Sequence, residues 1–540
     1  MKKFSKIFVS SLLLASLGVS AGCNFGGNKD DIPDDVVADK YKVVVACQTE
    51  MGEEEVLRVL EKAYEAKHTD VDIEIKTFSG ESYEQYMLGI AAEQSSSPNI
   101  IWTADTYHSH WNEYYVDLRP YYEASPETDY SNYYETMLDT AGINGKFKPT
   151  KNYTGSFDRE KDDSDGKEHY SEHSEYGLFY APRDYNKPAI LCNTHLFAEF
   201  DAAYELVYKT VNGVSAMPAD YKSTSARLQE IVAGTDWDDF YDLPAFARFI
   251  AERMLYVVQN GEATGDRQMS RKWSQRAVLN LFLEWEPTYT TVMDALGVDV
   301  INADGTLNLK ANEEKLQALH DALSPSATED EKEMASLMTT PNGGIQFSSG
   351  NLFMSVVSRP VVLGYGNTFK GMYGEGTHME AIRFPVENIA AGCSGYAISS
   401  IWEGKTMTVN GVSKSYTDLS WDFIKFIITE EGQEVAGETG LNIPVLKKLY
   451  DAESNDGKEP AWRKVASLGS MDNDAWVAGN ELSQDTYNIF KADKRNAFRN
   501  VVRTFYTNLI KTNYNDGDLA TLITKTEQSY SLQKPTSNLR

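Results

Sequence analysis

The chain has 540 residues, 80 of them Asp or Glu against 51 Lys or Arg, for a formal net charge of −29. So acidic a surface repels nucleic acid and anionic membrane, which excludes both as partners. The length exceeds what one hydrophobic core serves, so two or more lobes are expected, and a hydrophobic fraction of 41% is adequate for globular packing.

Residues 1–22 begin with Lys2, Lys3 and Lys6, continue in an apolar core from Ile7 to Val19, and end in Ser20-Ala21-Gly22 before Cys23. A basic start, a short apolar stretch and small residues before a cut describe a secretory leader, too short to span a membrane durably. Residues 23–39 are rich in Gly and Asp without periodicity and read as a flexible tether. After Cys23 three cysteines remain, Cys47, Cys192 and Cys393, and an odd number cannot form a fully paired framework within one chain. Buried free thiols are the expectation.

Tyr41–Ala46 reads as a buried strand, Glu53–Lys67 as a helix with acids in its first turn, and Val71–Phe78 as a half-exposed strand. A second helix over Tyr83–Gln94 and a buried strand over Asn99–Trp102 follow, so the opening is a parallel α/β sheet. In such sheets ligands bind beyond the carboxyl ends of the strands, which singles out Gln48–Glu50 and Thr103–His108. Phe147–Tyr176 is almost wholly polar and cannot build a core. Pro188 then opens the apolar run Ala189–Cys192, Asn193-Thr194 offers a helix N-cap, and a helix begins at His195. A strand leaving one body and handing the chain to a helix in another is a hinge.

Beyond the hinge a helix is expected from Thr235 or Asp236, a long apolar helix over Arg271–Trp285, and a buried strand over Leu352–Val357. Ala390–Ser399 (AAGCSGYAIS) is the second hinge candidate, its glycines allowing close backbone approach. Helices follow at Leu419–Ile428, Asn500–Ile510 and Asp518–Ser529.

Several of these stretches resemble, in the same order, the extracellular solute-binding proteins of family 1, the carbohydrate-binding lipoproteins of ABC importers to which maltodextrin-binding proteins are related. The similar phrases are SSPNIIWTAD at 95–104, Pro188 to Phe197, GCSGYAIS at 392–399 and the helix before Glu430-Glu431-Gly432-Gln433, and the likeness covers most of residues 41–540. Gly22-Cys23 resembles a lipobox, with Ser20 where Leu is commonest; the resemblance implies a diacylglyceryl group on Cys23. It further implies a two-lobed periplasmic-binding-protein-like α/β fold of type II, with hinge strands and a ligand cleft between the lobes. Lobe 1 would comprise 40–185 and 392–442, and lobe 2 would comprise 186–391 and 443–540.

The implied function is capture of a carbohydrate, an oligosaccharide, for delivery to ABC permease subunits by a monomer anchored to the outer membrane face, with no cofactor and no catalysis. Sugars offer hydroxyls to planar polar groups and C–H faces to aromatic rings. Gln48, Asp105 and Asp184 are the hydrogen-bonding candidates, with Arg183 and Arg359 as donors and Ser394 contributing from the return strand. Tyr107, Tyr185, Trp285 and Trp476 are the stacking candidates, and Trp102 suits stacking and packing equally. Arg359-Pro360 stands where the family often has Pro-Trp, a departure at one stacking position.

Other motifs point elsewhere. His169-x-x-Glu172-His173 has the inverted zincin spacing but lacks an apolar stripe to dock a helix. Asp163-x-Asp165-Gly166 approaches a calcium loop, with Lys161 repelling the ion at the first ligand position. Gly392-x-Ser394 lacks the last glycine of a nucleophile elbow. Spacing cannot locate a glycosidase dyad among 80 carboxylates, so a glycan hydrolase and a metal-binding surface protein stand as alternatives.

Overall fold

The computed structural model describes residues 39–49, 52–79, 82–83, 86–87, 97–104, 114–142, 147–150, 152–155, 177–234, 237–283, 285–302, 306–326, 328–464, 473–481, 501, 504–510 and 518–532. The leader, Cys23 and most of the tether lie outside the described residues, as do Asp105, Tyr107, most of the helix expected over Tyr83–Gln94 and both metal-like motifs of the polar segment.

Two sheets organise the described chain. The first has five strands in the order Val71–Phe78, Tyr41–Gln48, Ile100–Ala104, Ser394–Ile398 and Ala181–Pro182. The first three run parallel, and Ser394–Ile398 lies antiparallel to both its neighbours. Tyr41–Gln48 is apolar enough for an interior position, whereas Val71–Phe78 alternates buried and more exposed residues, as suits an edge. The second sheet has four strands, Ala277–Asn280, Leu352–Val357, Ala189–Asn193 and Met379–Arg383. Alternation along Ala189–Cys192 divides two apolar clusters. Ala189 and Leu191 join the one that surrounds the first sheet and covers one face of the second, while Ile190 and Cys192 join the one on the second sheet's other face.

Asn193 ends its strand as expected, its side chain accepting from Leu196 N at 2.9 Å to cap the helix Thr194–Asn212. Cys47, Cys192 and Cys393 are buried free thiols.

Among the described residues three passages join the lobes. The chain leaves the first sheet after Pro182 and enters the second at Ala189; it returns between Ile389 and Ser394. These two passages pair, Asn186 N donating to Gly392 O at 2.9 Å and Gly392 N to Asn186 O at 2.8 Å. Ala189–Asn193 and Ser394–Ile398 are thus strands of the two sheets, and the crossing segments are the shorter links beside them. The third passage reaches the second lobe where Asn480–Glu481 pairs with Asn388–Ile389. The sequence division places everything after 443 in the second lobe. Val445, Leu446, Leu449 and Trp462 instead pack in the first cluster, held there because Val445 N donates to Gln433 Oε1 at 2.9 Å.

Two expected helices differ. The stretch 271–285 breaks: a helix ends at Ser274, and Ala277–Asn280 pairs with Leu352–Ser355 as a strand, so an apolar run read as helix face is a sheet interior. The helix expected at Thr235 begins at Asp242, because Trp237 is drawn into the core and its Nε1 donates to Arg383 O at 2.9 Å.

Gly395 lies hard against the neighbouring strand, where a Cβ would collide with the Ala181 carbonyl. Gly395→Ala is expected to cost about 1–3 kcal/mol by prising the two strands apart. Urea unfolding checks this, with a lower midpoint at constant slope expected and an unchanged midpoint contradicting the packing.

Candidate ligand cleft

A cavity of about 230 Å³ lies between the lobes. The first lobe contributes Gln48, Glu53, Trp102, Ala104, Arg183 and Asp184; the second contributes Asn280, Phe282, Trp285, Ser355, Ser358 and Tyr365. Asn186, Gly392, Cys393 and Ser394, from the two paired crossings, form its floor. Gln48, Ala104, Asn280 and Val357 are the last or nearly the last residues of their strands, so the strand-end rule holds in both lobes.

A buried charge network anchors one wall. Gly52, at φ 70°, turns the chain from the strand Tyr41–Gln48 into the helix Glu53–Glu65 and aims Glu53 inward. Arg183 Nη2 lies 2.9 Å from Glu53 Oε2 and 2.7 Å from Asp184 Oδ2. Asp184 also accepts from Ser394 N at 2.6 Å and from Ser394 Oγ at 2.7 Å. Tyr396 donates its hydroxyl to Glu53. Burial drives the Glu53 carboxyl above its ordinary pKa, opposed by the Arg183 charge and the Tyr396 hydrogen bond. Burial also works against the Arg183 cation, yet Glu53 and Asp184 outweigh it and hold the guanidinium above its ordinary value.

Two buried polar atoms at the cleft have no partner among the described residues, the Nε–H of Arg183 and the Oδ1 of Asn186. Such groups carry a desolvation cost that water or a ligand hydroxyl relieves. Opposite them Phe282 and Trp285 present rings 6.0 Å apart. Phe282 sits at φ 49°, an unfavourable backbone for a bulky residue and one that concentrates at functional sites.

Of the expected site residues, Gln48, Arg183, Asp184, Ser394 and Trp285 line this cleft. Three others do not. Tyr185 is buried, its ring packed 5.0 Å from Tyr134. Trp476 is fully buried in the first cluster. Arg359 is enclosed, donating to Gly440 O at 3.2 Å, Asn473 Oδ1 at 2.7 Å and Trp462 O at 3.0 Å. All three are enclosed where the lobes join, Arg359 reaching from beyond the strand Leu352–Val357 to Gly440; the charged and aromatic character read as ligand-facing is spent on packing. Asp184 is largely occupied too, orienting Ser394 and Arg183. Sequence reasoning missed Glu53, read as a first-turn helix acid, and Phe282, hidden in a supposed helix. Both follow strand ends, the signal by which they were findable. Among the described residues no group of three or more His, Cys, Asp or Glu is placed to hold a metal ion.

Removing Arg183 tests the network. Arg183→Met leaves Glu53 and Asp184 buried without their cation and is expected to cost about 3–5 kcal/mol. Without the Arg183 charge that opposes it, burial raises the Glu53 carboxyl further above its unfolded value, so the loss is smallest below the carboxylate range and grows as pH rises through it. Unfolding at about pH 4 and about pH 7 reads this, and a loss independent of pH contradicts it.

No family model matches the chain, and no curated protein matches it. Solved structures do. The GacH receptor of Streptomyces glaucescens, solved unliganded and with acarbose, is 13% identical, with 92% of this chain and 100% of that one covered at a TM-score of 0.53. Maltose-bound MalE3 of T. maritima is 11% identical over 91% and 99% of the two chains, at 0.53. An ABC substrate-binding protein of Listeria monocytogenes in complex with cycloalternan is 12% identical over 91% and 98%, at 0.53. The chain has the two-lobed α/β fold of these sugar-binding proteins.

Proposed function

We propose that this protein is the carbohydrate-binding lipoprotein of an ABC importer. It captures a sugar, an oligosaccharide, between its lobes by reversible binding without turnover and delivers it to membrane permease subunits. The observation that carries the reading is a cleft at the lobe crossings, lined by the polar side chains of Gln48, Arg183, Asn186 and Ser394 and by the rings of Phe282 and Trp285. Hydroxyls for the former and C–H faces for the latter belong together on a sugar. The structural neighbours were solved with acarbose, maltose and cycloalternan, all glycans, which supports the same class. The leader and Cys23 support export and a diacylglyceryl anchor, with the tether giving a monomer reach from the membrane. No helix among the described residues is long and apolar enough to cross a membrane. Two acyl chains hold firmly where one does not.

A sugar touching both lobes binds the closed form better and shifts the population towards it. Calorimetry with maltooligosaccharides is expected to show saturable binding, and small-angle scattering a smaller radius of gyration at saturation. Trp285→Ala and Phe282→Ala are each expected to weaken binding by about 0.5–1.5 kcal/mol beyond the area lost. Glycans recovered cleaved, above a heat-killed control, place the protein among the hydrolases; unchanged dimensions at saturation contradict closure.

Cys23→Ala is expected to release the protein from the membrane fraction with its sugar affinity intact. A variant retained on membranes in high salt contradicts the anchor.

A further inference from the structure

The second lobe carries another cavity, at the opposite end of two strands that reach the cleft. Ala277–Asn280 and Leu352–Val357 run parallel. Their carboxyl ends supply Asn280, Ser355, Val356 and Val357 to the cleft. At their amino ends, where Ala277 N donates to Asn351 O at 3.0 Å, a cavity of about 340 Å³ is lined by Gln268, Arg271, Lys272, Gln275, Arg276 and Asn351. No lining residue is acidic, in a chain whose net charge is −29. The segment 267–276, RQMSRKWSQR, holds four cations and no carboxylate.

These cations are differently placed. Arg276 is fixed, with its side chain 10% exposed, its guanidinium 4.2 Å from the centre of the buried Trp273 ring, and an ion pair to Glu199 Oε2 at 2.8 Å. Lys272 pairs with the other oxygen of the same carboxylate. Glu199 therefore offsets one positive charge of the three lining the cavity, and Arg271 has no ion pair among the described residues. A planar, pre-oriented guanidinium beside an exposed, unpaired one, with the side-chain amides of Gln268 and Gln275 alongside, matches a tetrahedral oxyanion that accepts several hydrogen bonds.

We propose that this cavity binds a phosphate group, either as the free anion or as a phosphate ester, independently of the ligand in the cleft. The charges are solvent-accessible, so binding weakens as salt rises.

The test titrates inorganic phosphate, and separately glycerol 3-phosphate, into the full chain by calorimetry at low ionic strength, with sodium chloride at matched ionic strength as control. Saturable binding near one equivalent is expected for one or both. Binding of the ester alone identifies an esterified source, and binding of both a free or esterified one. Arg271→Glu and the milder Arg271→Gln, both far from the cleft, are expected to weaken it by about tenfold or more while leaving maltooligosaccharide binding and the circular dichroism spectrum unchanged. The proposal is overturned if neither phosphate binds beyond the chloride control, or if Arg271→Glu binds as tightly as the parent chain.

Discussion

Arg183 is the point on which the two lobes depend. Its guanidinium is almost fully buried at the first crossing and meets Glu53 from a helix N-terminus and the adjacent Asp184. Asp184 in turn holds Ser394 at the start of the return strand, and the Arg183 carbonyl accepts from Gln433 Nε2 at 2.9 Å. One residue, through its cation and its carbonyl, thereby ties together the opening strand–helix turn, both paired crossings and the helix that anchors Val445. Burying such a charge costs several kcal/mol unless it is paired and hydrogen-bonded, and the arrangement supplies two carboxylates for it.

That solution leaves the cleft chemically incomplete in a useful way. The guanidinium nitrogens facing Glu53 and Asp184 are satisfied, while Nε is not, and neither is the amide oxygen of Asn186. The crossings pair through the backbones of Asn186 and Gly392 and through Asp184 and Ser394, and these two side-chain atoms stay buried beside the cleft without a partner. A polar cleft floor is thus a by-product of passing the chain between two sheets. The aromatic wall has another origin. Phe282 follows the end of a strand in a left-handed conformation, which swings the chain into the turn where Trp285 N donates to Phe282 O at 3.1 Å. The strain is retained where both rings line the cavity.

The second sheet has two working ends. Ala277–Asn280 and Leu352–Val357 deliver neutral polar groups to the cleft and, at their starts, border the basic cavity around Arg271 and Arg276. Parallel strands make this separation natural, because side chains at the two ends of one strand belong to different loops and evolve different chemistry on a shared support.

What the sequence determined by itself is local. The alternation of Val71–Phe78, the apolar run ending in an Asn193 cap, the buried run Leu352–Val357 and the unpaired thiols are properties of a few neighbouring residues, and periodicity and capping read them directly. The strand-end rule likewise brought Gln48 to the cleft without knowledge of the far lobe. The tertiary structure alone decided which polar and aromatic side chains face the cleft. Glu53 meets a partner 130 residues away. Tyr185 and Trp476 fill the core, while Phe282 and Trp285 do not. The last stretches of the first lobe come from beyond residue 443. Burial and pairing depend on what the rest of the chain brings alongside, and a tyrosine or an arginine has the same local signature whether it closes a core or meets a ligand.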